Sequence, residues 1–110
     1  MRYACGGGKG LRGFLVIESA RLHGIAPGMA APAAAAIEAL HAYSLVHDDL
    51  PCFDDAGLRR GKPSVHCAYS QPLAVLTGAW VAGRAAVWFS TMLPTAWVAA
   101  ADLAFLPLLF

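Results

Sequence analysis

Apolar positions recur along this chain at helical spacing, and glycine and proline punctuate them. Leu11, Phe14, Leu15, Glu18 and Leu22 fall on one helical stripe, and Gly24 is a natural stop. The pattern therefore predicts a helix from about Leu11 to His23, entered from the flexible glycine-rich stretch "GGGKG". "IAPGMAAP" reads as a turn. A long second helix is expected over Ala33 to Leu50, rich in alanine, leucine and glutamate, with Pro32 in its first turn, where a missing N–H costs little. Pro51 should end or kink it, because proline lacks the donor and clashes with the preceding turn. Residues 51 to 65 read as a polar loop, with Asp54, Asp55, Gly57, Gly61 and Pro63 as turn formers. Helical pattern resumes near Pro72 and runs through "LAVLTGAWVAGRAAVWF". No strand alternation and no internal repeat is visible, so the class is all-α.

Charge changes this picture by its placement. Residues 41 to 66, "HAYSLVHDDLPCFDDAGLRRGKPSVH", hold four acidic residues, three basic residues and three of the four histidines. Beyond Lys62 only Arg84 and Asp102 are charged. Hydrophobic residues make up 58% of the 110, enough for helices buried on several sides, for part of a larger core or for a membrane segment. A net charge of +1 argues against nucleic-acid binding by bulk electrostatics. Cys5, Cys52 and Cys67 match neither a disulfide framework nor zinc spacing and read as free thiols. With no apolar stretch of the secretory type in "MRYACGGGKG", they point to a cytoplasmic protein.

The charged cluster has a geometry. On a helix, His41 and Asp48 lie within roughly 20° of one another, with Ser44 and Leu45 on the same stripe and Asp49 about 100° away. Aspartates at a helix C-terminus oppose the dipole by roughly 0.3–1 kcal/mol each, and Asp54 and Asp55 add to the negative charge. A divalent cation is the simplest compensation. The donors are hard carboxylate oxygens, which favour Mg²⁺, with Mn²⁺ possible. Arginines nearby suit phosphate, which guanidinium grips through paired hydrogen bonds. Asp48 and Asp54 would diverge on an unbroken helix; a kink at Pro51 would bring Asp54 back toward Asp48.

"DDLPCFDDAGLRRGKPSVH" closely resembles the first aspartate-rich motif of trans-type polyprenyl diphosphate synthases, the bacterial farnesyl and geranylgeranyl diphosphate synthases above all. "MRYACGGGKGLRGFLV" is similar to that family's N-terminal Gly-Gly-Lys segment, and "SLVHDDLP" to its motif entry. The resemblance covers about residues 1 to 77. It implies a helical fragment of an isoprenoid-synthase-type bundle and head-to-tail prenyl transfer between an allylic diphosphate and isopentenyl diphosphate. On the matching positions it implies Mg²⁺ ligation by Asp48, Asp49 and Asp54 and allylic diphosphate contact by Arg59. Lys9, Arg12, His41 and Arg60 would hold the diphosphate of isopentenyl diphosphate. Such a reaction needs no protein nucleophile, in keeping with a sequence in which no Ser/His/Asp or Cys/His constellation stands out. His23 reads as a dipole partner, and Cys52 and Phe53 as packing residues, with no site role for His47 or His66.

The sequence departs from the family at Gly10, Gly13, Ala56 and Gly57, none of them a proposed ligand. Past Thr77 the resemblance fades: "GAW" stands where Gly-Asp is expected, and the second aspartate-rich motif and its lysine–threonine pair do not appear. Residues 78 to 110 are thus expected to form a divergent apolar helical tail on a truncated or frame-shifted product, weakly active or inactive. The alternatives are a non-catalytic binding or regulatory subunit of a full-length synthase, and a small membrane-associated helical protein using the uncharged stretch Ala85 to Ala101. A homodimer is possible by the same resemblance.

Overall fold

The computed structural model describes residues 2–92. Its elements in chain order are α1 (Arg2–Cys5), α2 (Leu11–Leu22), α3 (Pro27–Asp48), β1 (Leu58–Arg59), β2 (Lys62–Pro63), α4 (Val65–Ala68) and α5 (Gln71–Met92). The all-α class holds; the two strands form only a two-residue antiparallel ladder. Helix α3 is the spine, packed against both α2 and α5.

Helix α3 starts earlier than the sequence pattern suggests. Pro27, not Pro32, occupies its first turn, behind Ala26 in an extended conformation. Pro32 therefore lies inside the helix, where its ring leaves the Gly28 carbonyl without the usual partner. The helix ends at Asp48, two residues short of Leu50, and Asp49 caps it by donating its N–H to Leu45 O at 3.1 Å.

The core is a seam of small residues. Ala39 of α3 meets Val81 and Ala85 of α5, with Tyr43 and Trp88 closing over them. A second cluster joins Val46, Leu50, Val65 and Ala74. Alanine at a helix crossing lets two backbones approach closely. At one point the approach is closer still: a Cβ added to Gly78 would stand 2.2 Å from Nε2 of His47. That ring nitrogen donates to Val75 O at 3.1 Å, and the ring sits edge-on to Tyr43 at 4.9 Å. His47 thus has a structural part that its sequence context does not announce. Thr77, the last position of motif resemblance, lies within α5, and the helix packs on α3 both before it, at Ala74, and after it, at Val81.

Helix α2 packs opposite to its apolar stripe. Leu11, Phe14, Leu15 and Leu22 are exposed, and the buried position is Gly13. There the absence of a side chain is used: a Cβ would lie 3.2 Å from Glu38 Cγ, and the Gly13 N–H donates to Glu38 Oε1 at 2.8 Å. A carboxylate from α3 so satisfies one of the donors that a helix start leaves open. His23 behaves as expected, with Nδ1 donating to Ser19 O at 2.8 Å. Cys52 and Phe53 do not pack; both are exposed, Phe53 to 70%. They ride on the turns after Pro51, which face solvent. The stretch Ala85 to Ala101 and Asp102 lie outside the described residues from position 93 onward. Helices α3 and α5 are each long and apolar enough to cross a membrane by length and composition.

Candidate active site

The turn after α3 does what Pro51 predicts. Leu50 donates to His47 O, Phe53 to Leu50 O, and the N–H of Asp54 reaches back to Asp48 O at 2.9 Å. The backbone of residue 54 is thereby tied to that of residue 48. Asp48 and Asp54 both expose their side chains on this turn. Asp49 is different: it is 3% exposed and faces inward.

Opposite Asp49 stands the hairpin β1–β2, with Leu58 paired to Pro63 and Arg59 to Lys62. Its two-residue turn is Arg60–Gly61, with φ of 54° and 76°. Positive φ at both positions is the type I′ arrangement that suits the twist of a tight hairpin, although it is strained for arginine. Arg59 points to Asp49 and grips it with two nitrogens: Nε donates to Oδ1 at 3.2 Å and Oδ2 at 3.1 Å, and Nη2 donates to Oδ1. This hydrogen bond, with the added fields of Asp49, Asp48 and Asp54, holds the guanidinium proton more tightly than usual; burial opposes it. Asp49 and Arg59 therefore occupy one another.

Arg60 points elsewhere. Its Nη1 donates to Gly6 O at 3.4 Å, and Gly8 leaves room for it, since a Cβ there would lie 3.0 Å from the same nitrogen. The hairpin is further held by Tyr3, whose hydroxyl donates to Pro63 O at 2.7 Å. An open cavity of about 460 Å³ lies beside it, lined by Lys9, Arg12, Glu38, His41 and Arg60 among others. All four residues matched to the isopentenyl diphosphate pocket thus face one space. The imidazole of His41 is pushed below its ordinary range, first by burial and then by Arg12 and Arg60, with Glu38 opposing. Burial and neighbouring cations both disfavour the charged form of an imidazole.

A second cavity, of about 350 Å³, shares Gly8, Glu38, His41 and Arg60 with the first. Its remaining walls are largely apolar, with Ala35, Ala39, Ala42, Leu45 and Trp88. A small third cavity of about 90 Å³ touches Asp49, Arg59, Arg60, Lys62 and Ser64. Glu38 was not singled out by the sequence; it sits three residues before His41 on α3, and that spacing was the available signal.

For a metal, the donor set is specific. Among the described residues no three His, Cys, Asp or Glu side chains are gathered as a metal cluster. Two exposed carboxylates on one turn, Asp48 and Asp54, still fit Mg²⁺, which takes one or two protein carboxylates and completes its shell with water and phosphate oxygens.

A spine helix flanked by helices, with a charged rim at one end, is the all-helical isoprenoid synthase architecture. A geranyltransferase from Legionella pneumophila superposes with a TM-score of 0.81 at 39% identity, over 96% of this chain and 39% of that one. An isoprenoid synthase family member from Thermotoga neapolitana gives 0.82 at 36% identity, over 86% and 38%. A polyprenyl synthetase family model matches residues 1–104, further than the motif resemblance reaches, and the chain belongs to that family. The geranylgeranyl diphosphate synthase of Cereibacter sphaeroides is 67% identical over 52 residues, 47% of this chain and 18% of the relative. The farnesyl diphosphate synthase of Escherichia coli is 47% identical over 72 residues, 66% and 24%. The chain spans only 18% to 24% of the length of these curated relatives.

Proposed function

We propose that this chain supplies the first substrate-facing wall of a prenyltransferase that condenses an allylic diphosphate with isopentenyl diphosphate. One observation carries the reading: Lys9, Arg12, His41 and Arg60 line a single cavity that shares Gly8, Glu38, His41 and Arg60 with a largely apolar one. Such a pair of spaces suits an amphipathic anion, with the diphosphate among the cations and the hydrocarbon against the alanines of α3. Residues 1–77 hold all of these polar groups, and residues 78–92 contribute apolar helix.

The roles divide as follows. Asp48 and Asp54 would hold Mg²⁺, which neutralises charge on a departing diphosphate when bound. Asp49 sets the orientation of Arg59 through its paired hydrogen bonds, and Arg59 presents its remaining N–H groups to the allylic diphosphate. Lys9, Arg12 and Arg60 hold the second diphosphate, with His41 as a hydrogen-bonding partner. Glu38 lines the same cavity and limits its net positive charge. The reading includes action in the cytoplasm, a possible homodimer and no nucleic-acid partner.

Calorimetry with a thiolo-diphosphate analogue tests this. Binding is expected with Mg²⁺, weakened at least tenfold without it, and weakened to a similar degree in Asp48→Ala. Equal affinity with and without Mg²⁺ would refute the metal assignment, and no binding under either condition would refute the cavity assignment. A second reading is a binding subunit whose cavity holds a diphosphate without turnover. Analogue binding with no condensation product, together with co-purification with a full-length synthase, would select it.

A further inference from the structure

Below the hairpin lies a group of polar side chains that prenyl transfer does not use. Cys67 is exposed, and its Sγ lies 3.4 Å from Nε2 of His66. The imidazole is largely sequestered, with 9% of its side chain accessible. Its other nitrogen, Nδ1, is 3.0 Å from Oγ of Ser64, and Ser64 is only 2% exposed. Asp55 Oδ1 stands 3.9 Å from Nε2. The sequence suggests no thiol–imidazole constellation and no role for His66; folding supplies both, because Ser64 stands at the N-cap of the short helix α4 and its hydroxyl holds the His66 ring.

These contacts have a chemical direction. A hydroxyl can accept from Nδ1–H, which leaves Nε2 with its lone pair toward the thiol. Once Nε2 has taken the thiol proton, the imidazolium faces a carboxylate, that of Asp55. A base beside an accessible thiol and an anion beside the resulting cation are what a reactive cysteine requires. The other two cysteines lack this. Cys52 is exposed with no imidazole contact among the described residues, and burial pushes the Cys5 thiol up.

We propose that Cys67 is a thiol-exchange site that takes low-molecular-weight disulfides, with His66 as its base. The proton of Cys67 passes to His66 Nε2, and the thiolate attacks one sulfur of the incoming disulfide. A new S–S bond forms to Cys67, the old S–S bond breaks, and its second sulfur leaves as a thiolate. Cys67 is oxidised and the incoming disulfide is the oxidant, reduced by the same two electrons.

The test uses the intact chain and dithiodipyridine, an uncharged disulfide, with peptide mass mapping of each cysteine against time at neutral pH. Cys67 is expected to react about tenfold faster than Cys52, with Cys5 slowest. His66→Gln should bring Cys67 to the rate of Cys52. Concentrated urea should erase the difference in the wild-type chain, a measurement that stands even where the variant fails to fold. The proposal is overturned if Cys67 reacts no faster than Cys52 in the native chain. It is overturned equally if the excess survives urea or persists in folded His66→Gln. None of these outcomes depends on diphosphate binding.

Discussion

Helix α3 meets its neighbours in two ways along its length. At mid-helix, Ala39 and Tyr43 pack on Val81, Ala85 and Trp88 with little beyond van der Waals contact, and Gly78 admits the His47 ring where no further atom fits. At its C-terminal end, contact is polar: Asp49 clasps Arg59, and Asp54 bonds back to Asp48. The first region is intolerant of added volume. The second tolerates volume at its exposed carboxylates but not the loss of a partner. A seam of small residues fixes where the helices are, and the polar end then has defined positions from which to aim charge.

Gly78→Ala should break the seam hardest. The new methyl displaces His47, which forfeits its bond to Val75 O and its edge contact with Tyr43. A loss of about 2–3 kcal/mol is expected in urea unfolding, partly restored by His47→Ala in the same chain. No loss would mean that the two helices cross elsewhere. Asp49→Ala probes the other region. A fully buried ion pair so truncated costs about 3–5 kcal/mol; Arg59 keeps 37% of its side chain accessible, so about 1–2 kcal/mol is expected. Analogue affinity should fall along with stability, and unchanged affinity would detach Asp49 from the site.

The smallest effect concerns pH. His41 is held below the usual histidine range in the folded chain, so the unfolded chain binds its proton first as pH falls. Stability should therefore decline as pH drops below about 6.5, levelling once the folded imidazole is protonated. His41→Gln should flatten that part of the profile. Identical slopes in the two chains would show that His41 does not sit among Arg12 and Arg60 as described.

Much of the polar end was legible in the sequence because its parts are near neighbours. Asp48, Pro51 and Asp54 constrain one another over a few bonds, and the return of Asp54 follows from proline chemistry. The seam was not legible. A helical stripe states a period without stating which side packs, and in α2 the side chosen is Gly13, where an added Cβ would stand 3.2 Å from Glu38 Cγ and make that side chain give way. The insertion of His47 at Gly78 depends on where two helices cross, 31 residues apart in the chain. The occupation of Asp49 by Arg59 needed the hairpin, whose two-residue strands are too short to announce themselves by alternation.

The left-handed backbone at Arg60 has one more consequence. On an extended strand two successive side chains already point to opposite faces, and the turn at Arg60–Gly61 separates them further. That turn sends Arg59 to the Asp49 carboxylate at the α3 terminus and Arg60 to the Gly6 carbonyl in the glycine-rich start, so a single dipeptide serves two separate acceptors at once. Replacing Arg60 by glycine would ease the bend and leave the Gly6 carbonyl without its guanidinium donor.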